Sequence, residues 1–228
     1  MALREVFTQQ VSSGQVAVAW CNSYSAVALR TPEASLLVDP VSISPDPSLR
    51  ADLLLVSHEH QDHWDPETLA ALHRHTGAPV LAPPFVTEQM RRWLPEGAAR
   101  PFHPWEETSV SGCLVVALPS HHPAREPLSF LLLPVQGPAV YLPGDTSPYP
   151  EMTEIRRRWR PQVLVFMGTS LEEGAETCRL LQPAALVTYD WGPPSATERA
   201  RRMLTRHTPE ALFVALKREE VFLYPRAL

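Results

Sequence analysis

Residues 57–63 read Ser-His-Glu-His-Gln-Asp-His, and this short stretch decides how the rest of the chain is interpreted. It directly follows residues 52–56, an apolar run of the kind that forms a fully buried strand. It directly precedes Trp64-Asp65-Pro66, where a helix should begin, because aspartate can cap a first turn and proline suits the first helical position. Three histidines and two carboxylates are therefore predicted to fall on one strand-to-helix turn.

The spacing of these side chains lets them converge. Alternate residues of an extended segment point the same way, so His58 and His60 can face one point. Asp62 and His63 can face a second point beside it as the chain bends. Imidazoles and carboxylates crowded at the end of an apolar strand are costly unless something compensates them, and a pair of divalent metal ions would do so. A single histidine at a strand end is usually a hydrogen-bonded surface residue, but three within six residues favour a metal site.

Short strands and helices are predicted outside this stretch. One helix is expected from Pro66 to Gly77 and another over residues 85–94. Residues 210–216 and 219–224 are predicted to close the chain as a strand pair. Two runs of strands, each followed by helices, fit an αβ/βα sandwich, an α+β fold in which two mixed β-sheets lie face to face with helices outside.

The stretch His58-Glu59-His60-Gln61-Asp62-His63 resembles the signature of the metallo-β-lactamase-fold hydrolases. Within that superfamily the chain most resembles the branch around ascorbate-6-phosphate lactonase and the N-acyl-phosphatidylethanolamine phospholipases. The resemblance covers nearly the whole chain, and it is specific for the superfamily but weak for the substrate. It implies a four-layer αβ/βα sandwich and a single metallo-hydrolase domain over residues 1–228.

The resemblance also implies a third ligand for the first metal. In the resembled branch the next metal histidine lies in a proline-rich turn, which corresponds here to residues 119–123. Counting from Pro119 gives His122, with His121 as the alternative. Together with His58 and His60 it would form a three-histidine site that leaves a position for water.

Two aspartates gain roles from the same resemblance. Asp145, in Gly144-Asp145-Thr146, is similar to the family's bridging aspartate, whose two oxygens can hold two metals about 3.5–4 Å apart. The plainer interpretation is an aspartate that caps a turn. Asp39, at the end of the third strand, would accept a proton from a metal-bound imidazole and fix its tautomer. The plainer interpretation there is a turn that ends the strand.

The end of the strand over residues 184–188 departs from the family pattern. The pattern requires a histidine there as the last ligand of the second metal, and this chain has Asp190. If Asp190 binds, the second site is harder than usual and prefers Mn²⁺ or Fe²⁺ over Zn²⁺. If it does not, that site is weak. The predicted ligands of the second metal are Asp62, His63, Asp145 and Asp190.

The implied chemistry is hydrolysis by a metal-bound hydroxide. Asp62 is predicted to orient that hydroxide and later to pass a proton to the leaving group. The leading hypothesis is a hydrolase of a small-molecule lactone, ester or phosphodiester. The alternatives are a nucleic-acid phosphodiesterase of the same fold and a metal-binding protein with little catalysis because of Asp190. Four aromatic residues beside the motifs either wall a pocket or belong to the packing: Trp64, Tyr149, Tyr189 and Trp191.

Composition limits the partners. The 228 residues carry a net charge of −5, which gives no general attraction to nucleic acid or anionic membranes. The arginine-rich residues 156–160 are interpreted as a solvated helix face, and no apolar run is long enough to span a bilayer. Cys21, Cys113 and Cys178 are single and far apart, which argues against a structural zinc finger and fits a reducing compartment. We therefore expect a cytoplasmic protein with a small-molecule substrate.

Overall fold

Two seven-stranded mixed sheets run through the residues that the structure, a computed structural model, describes: 6–168, 170–190, 192–218 and 220–225. The strands in chain order are β1 (Val16–Trp20), β2 (Val27–Arg30), β3 (Ser35–Val38), β4 (Leu53–Leu55), β5 (Val80–Ala82), β6 (Ala99–Pro101), β7 (Glu107–Val110), β8 (Cys113–Pro119), β9 (Leu128–Pro134), β10 (Val140–Leu142), β11 (Val163–Val165), β12 (Ala185–Tyr189), β13 (Leu212–Leu216) and β14 (Val221–Tyr224). The longer helices are α1 (Pro66–Thr76), α2 (Pro84–Met90), α3 (Met152–Trp159), α4 (Leu171–Leu181) and α5 (Pro194–Leu204).

Each sheet combines an antiparallel part with a parallel part. The first has the order β14-β1-β2-β3-β4-β5-β6, with antiparallel pairing as far as β3 and parallel pairing from β3 to β6. The second has the order β13-β12-β11-β10-β9-β8-β7, parallel from β10 to β13 and antiparallel from β7 to β10. Parallel strands need crossover connections, and here helices supply most of them.

Side chains on alternate faces of the strands divide the core into layers. Leu53 and Leu55 of β4 lie between the two sheets, whereas Leu54 packs on the opposite face against α1 and α2. A third apolar cluster lies between the second sheet and the helices α3, α4 and α5, where Leu164 and Leu186 are fully buried. Two sheets with helices on both outer faces confirm the predicted four-layer α+β sandwich.

The helix after the histidine stretch begins and ends where the sequence predicts. The Asp65 side chain accepts a hydrogen bond from the Glu67 N–H at 3.1 Å, and Pro66 occupies the first helical position. The helix is closed by Gly77, which has a φ of 73° and donates its N–H to the His73 carbonyl. Both ends of α1 are thus fixed by local chemistry, so the chain leaves the end of β4 in one defined direction.

Two predicted elements differ from the structure. The predicted final strand pair is wrong: β13 pairs with β12 in the second sheet, whereas β14 crosses over to pair with β1 in the first. Each strand extends the free edge of a separate sheet, and residue type and spacing do not encode that choice. The second helix ends at Met90 rather than Leu94, and residues 91–93 continue as turns in which the Trp93 and Leu94 N–H groups donate to the Met90 carbonyl. In the described residues no helix has the length and apolarity that crossing a bilayer would require.

Candidate metal centre

The predicted ligands lie in loops that follow strands of both sheets. The histidine stretch follows β4 of the first sheet, whereas His122 and Asp145 follow β8 and β10 of the second. Asp39 follows β3, and Asp190 follows β12. The fold therefore places all of these residues at one edge of the sandwich, although Asp39 and Asp190 are 151 positions apart in sequence.

Three histidine side chains converge on one point. The Nδ1 atom of His60 lies 3.1 Å from Nε2 of His58 and 3.1 Å from Nε2 of His122. Nδ1 of His60 carries either one proton or one lone pair in the ring plane, so only one of these two contacts can be a hydrogen bond. A tetrahedral ion about 2.0–2.1 Å from each nitrogen would separate the nitrogens by about 3.4 Å, close to the separation found. Among the described residues, they form one of two groups whose ligand atoms all lie within 4.8 Å of one another.

The second group consists of His58, His63 and Asp145. The Oδ2 atom of Asp145 lies 3.3 Å from Nε2 of His63, 3.8 Å from Nε2 of His122 and 4.0 Å from Nε2 of His58. One carboxylate oxygen thus stands between the three-histidine group and His63, which is the position that a bridging ligand needs. Gly144 supplies the sharp turn before this aspartate with a φ of 60°.

Asp39 and Ser57 form a buried support beneath the histidines. Asp39 accepts the backbone N–H of Ser57 at Oδ1, and at Oδ2 it accepts the Ser57 hydroxyl, each over 2.7 Å. The same Oδ2 lies 2.8 Å from Nδ1 of His63. Because the Ser57 hydroxyl donates its only proton to Asp39, Nδ1 of His58, 2.9 Å away, must donate to that hydroxyl. Both imidazoles are thereby held with Nε2 directed toward Asp145.

The backbone of Asp39 is itself unusual. Its φ is 49°, in the left-handed region that residues other than glycine seldom adopt, and it precedes Pro40. Aspartate tolerates this region better than most residues, and the surrounding hydrogen bonds hold it there. Here the conformation directs a carboxylate with an exposed fraction of only 2% at Ser57 and His63.

The surroundings give the histidines opposite charge preferences. Burial, reinforced by the charge of His63, lowers the pKa of His58 to about 4. Burial also opposes the charged form of His63, but the charge of Asp39 and the hydrogen bonds to Asp145 and Asp39 raise its pKa to about 10. Burial lowers the pKa of His122 as well. Without metal, His58 and His122 are therefore neutral at pH 7, whereas His63 is protonated.

The loop after β8 directs His122, and not His121, toward the group. The ring of His121 stacks on Tyr149 with centroids 4.4 Å apart, and its backbone N–H donates to Thr146 Oγ1 at 2.6 Å. The Tyr149 hydroxyl donates to the Pro119 carbonyl at 2.9 Å. These contacts join the loop that carries His122 to the loop that carries Asp145.

Two predicted ligands lie outside both groups. Asp62 is exposed, with 55% of its side chain accessible, and its Oδ2 lies 3.8 Å from Nε2 of His63. Asp190 Oδ1 accepts hydrogen bonds from the Gly192 N–H at 3.1 Å and from the Thr197 hydroxyl at 3.2 Å. Asp190 therefore contacts the start of α5, and its coordination of a metal stays a prediction.

A cleft of about 720 Å³ opens directly above these groups. It is lined, among others, by Trp20, Tyr24, Asp62, His122, Glu173 and Asp190. Tyr189 also lines the cleft, as predicted for a wall residue. Trp64 instead packs on the first sheet, where its indole N–H donates to the Met90 sulfur at 3.4 Å, and Tyr149 is buried in the loop contact. The predicted wall residue Trp191 lies outside the described residues.

Several contributing residues had no role in the sequence pattern. The sequence pattern assigns no role to Ser57, although its hydroxyl connects His58 to Asp39. The Ser25 hydroxyl donates to the Asp62 carbonyl at 2.5 Å and so holds the end of the stretch to the loop before β2. The position of Ser57 directly before the predicted ligand His58 was a signal in the sequence. No local signal indicates the role of Ser25.

Two mixed sheets in a four-layer sandwich, with histidines and an aspartate converging at one edge, define the metallo-β-lactamase fold of metal-dependent hydrolases. The chain belongs to the family described as the beta-lactamase superfamily domain, whose family model matches residues 21–210.

Individual relatives are distant. A UPF0173 protein of Pyrococcus furiosus is 24% identical over an alignment of 188 residues that covers 79% of this chain and 86% of that protein. Igni18, described as a novel metallo hydrolase from the hyperthermophilic archaeon Ignicoccus hospitalis, has a TM-score of 0.74 and 18% identity, covering 93% of this chain and 100% of its own. CmlA, a diiron β-hydroxylase from Streptomyces venezuelae, has a TM-score of 0.71 and 18% identity, covering 94% of this chain and 55% of its own. At these identities the two solved structures show the fold alone.

Proposed function

We propose that the protein is a metal-dependent hydrolase of a small-molecule lactone, ester or phosphodiester. The observation that carries this proposal is the convergence of three histidine nitrogens over 3.1 Å contacts, of which His122 also lines an open cleft. Nδ1 of His60 can form only one of these two contacts as a hydrogen bond, whereas a cation would be attracted by all three nitrogens. The donor set therefore fits a divalent metal.

The first metal would be held by His58, His60 and His122, and a second by Asp62, His63 and Asp145, with Asp190 as a further candidate. A bound divalent ion would lower the pKa of a coordinated water to about 7 and would act as a Lewis acid on the scissile group. Zinc suits the three-histidine group, whereas the carboxylate-rich second group favours manganese or iron. The Streptomyces venezuelae relative is by name a diiron enzyme, which supports iron as a candidate.

The chain's own residues hold and move the protons. Ser57 and Asp39 keep the protons of His58 and His63 on Nδ1, so that both Nε2 atoms are available as ligands. The exposed Asp62 carboxylate can orient the attacking water, accept its proton and pass that proton to the leaving group. This role fits a carboxylate that both borders the cleft and lies beside His63.

Cys113 and Cys178 are buried as thiols, which supports a reducing compartment, so we propose a cytoplasmic location. We also propose a small-molecule partner, because the net charge of −5 gives no general attraction to nucleic acid or anionic membranes. Metal-binding with little catalysis is the second candidate. It is favoured by the hydrogen bonds of Asp190 to Gly192 and Thr197, which compete with coordination of a second metal.

Metal analysis and turnover distinguish these two candidates. The protein is stripped with a chelator, reloaded with Zn²⁺, Mn²⁺ or Fe²⁺, and assayed on simple lactones, aryl esters and bis-p-nitrophenyl phosphate. We expect turnover only after reloading, and its loss in His122→Ala but not in His121→Ala. Stoichiometric metal binding without turnover on any substrate would contradict catalysis and favour the second candidate.

A further inference from the structure

We propose that the cleft takes a carboxylic ester or lactone that carries no negative charge, and that it disfavours phosphate esters. The substrate is either uncharged or bears an alkylammonium group. This inference rests on the proposed function, because it assigns a substrate class to the same site.

The charged side chains of the cleft are predominantly negative. Asp62, Asp145, Glu173 and Asp190 line it, and no lysine or arginine is found among the described lining residues. Two divalent ions would only balance these four carboxylates, so no positive excess remains to attract a substrate anion. Recognition of a phosphate or carboxylate in proteins usually relies on arginine or lysine, which this wall does not offer.

Carboxylates that line the cleft also belong to or contact the first turns of α4 and α5. A helix N-terminus is the other common binding place for an anion. In α4 the cap Ser170 borders the cleft and accepts the N–H of Glu173 at 3.2 Å, and the Glu173 carboxylate accepts the Ser147 hydroxyl at 2.8 Å. At α5 the Asp190 carboxylate accepts the Thr197 hydroxyl. The protein's own negative charges thus stand close to both helix N-termini and oppose the approach of a substrate phosphate.

One wall of the cleft is aromatic. The rings of Trp20 and Tyr189 lie 5.7 Å apart between centroids, at an angle of 39°. The Trp20 indole N–H donates to the Tyr24 carbonyl at 2.7 Å, which holds the half-exposed Tyr24 beside them. Such ring faces attract apolar groups and alkylammonium groups, and nearby carboxylates strengthen the second attraction. Neither the wall nor the acids favour an anion.

Arg218 is the cation that touches this rim. Its guanidinium donates to the Ser23 hydroxyl at 3.1 Å, and Ser23 lines the cleft. Arg218 itself lines a separate surface groove with Lys217 and Glu220. If the substrate were anionic, this arginine would be the residue on which its recognition depends. Arg218→Gln therefore tests the opposite assignment.

The experiment compares thioacetates that share one acyl group and differ only at the end of the leaving group. The three ends are trimethylammonium, the uncharged tert-butyl isostere and carboxylate, and bis-p-nitrophenyl phosphate is assayed beside them on the metal-loaded enzyme. We expect the first two thioacetates to exceed the carboxylate one in kcat/KM by at least roughly tenfold, the effect of one nearby like charge at a protein surface. Calorimetric binding of choline, its tert-butyl isostere and a hydroxy acid of similar length gives a readout independent of turnover.

The variants Glu173→Gln and Asp190→Asn remove the two rim charges while keeping the shape of the side chains. Each is expected to reduce the preference for the ammonium thioacetate over the carboxylate one by roughly tenfold. Glu172→Gln is the matched control, because Glu172 lies in the same first turn of α4 but does not line the cleft. Metal content is measured for every variant, so that loss of a ligand at Asp190 is recognised.

The outcomes separate this inference from the proposed function. Faster hydrolysis of the carboxylate thioacetate or of the phosphodiester, or a loss of that activity in Arg218→Gln, would overturn the substrate class and leave the hydrolase intact. Hydrolysis without charge preference that is unchanged in Glu173→Gln and Asp190→Asn would also overturn it. Failure of every thioacetate, of the lactones and aryl esters and of bis-p-nitrophenyl phosphate, together with no preference in ligand binding, would overturn both. The expected preference, reduced in the two rim variants but not in Glu172→Gln, supports the assignment.

Discussion

Asp39→Asn is the substitution that most directly tests how the buried support tunes the metal centre. The native carboxylate accepts three hydrogens, from the Ser57 backbone, the Ser57 hydroxyl and Nδ1 of His63. An amide has one acceptor oxygen. If that oxygen keeps the Ser57 N–H, the amide NH₂ faces His63 and forces the imidazole proton onto Nε2, the atom directed at Asp145.

The size of the effect follows from these contacts. Loss of a hydrogen bond that involves a charged group costs about 1.5–3 kcal/mol. Because a tenfold change in affinity corresponds to about 1.4 kcal/mol, we expect a roughly 10–100-fold loss of affinity at the second group. The three-histidine group should change less, since Asp39 reaches only His58 there and does so through Ser57.

The assay is competition with a chromogenic chelator, with Zn²⁺ and Mn²⁺ titrated separately. Asp52→Asn is the matched control, because Asp52 also accepts a backbone N–H, from Ser35, and a serine hydroxyl, from Ser111, but contacts no imidazole. If the metal dissociation constants of both binding steps in Asp39→Asn agree with those of the wild type to within threefold, the reasoning is refuted, even if the variant is less stable.

The same variant has a second consequence in the metal-free protein. The pKa of His63 is raised to about 10 in the fold from an ordinary value of 6.5, since Asp39 and Asp145 outweigh the effect of burial. A raised pKa stabilises the fold fully below pH 6.5, and that stabilisation is lost as the pH rises through 10. The free energy of unfolding of the metal-free wild type should therefore fall across this window, and less steeply in Asp39→Asn. Equal slopes by urea denaturation would count against the pairing.

Three further predictions concern other parts of the molecule. His122→Ala should lower metal affinity by more than about a hundredfold, whereas His121→Ala should keep the metal content measured by mass spectrometry. Tyr149→Phe removes the hydrogen bond from the Tyr149 hydroxyl to the Pro119 carbonyl and should lower the free energy of unfolding by about 1–2 kcal/mol. An unchanged free energy of unfolding would argue against a stabilising contact between the two loops. Gly174→Ala should lower the free energy of unfolding by about 1–3 kcal/mol despite alanine's better helix propensity, because the added methyl group would overlap Leu204 Cδ2 and the Phe166 ring. Greater resistance of the variant to urea would contradict this.

Local sequence was enough for the part of the centre that lies on one turn. His58 and His60 are two positions apart, and Asp65 and Gly77 cap the two ends of α1. The conformation of this turn therefore follows from neighbouring residues in the sequence. His122 lies 62 positions from His60, and only the family resemblance indicated it. No periodicity encodes which loops two sheets bring together.

The remaining differences come from side-chain direction and strand partnership. The position of Asp190 was predicted, but its hydrogen bond to Thr197 depends on how the chain enters α5. The exchange of β14 into the first sheet depends on which edge was free. In both places several arrangements satisfy the local pattern, and tertiary packing selects one.

The division of the proposed ligands between the two sheets would couple cation binding to folding. His58, His60 and His63 come from the loop after β4, whereas His122 and Asp145 belong to the other half of the chain. An ion held by both halves resists their separation, and at a free concentration a thousandfold above its dissociation constant it adds about 4 kcal/mol to the stability. Slow amide hydrogen exchange should consequently quicken in both halves together when chelator is added, with neither half opening alone.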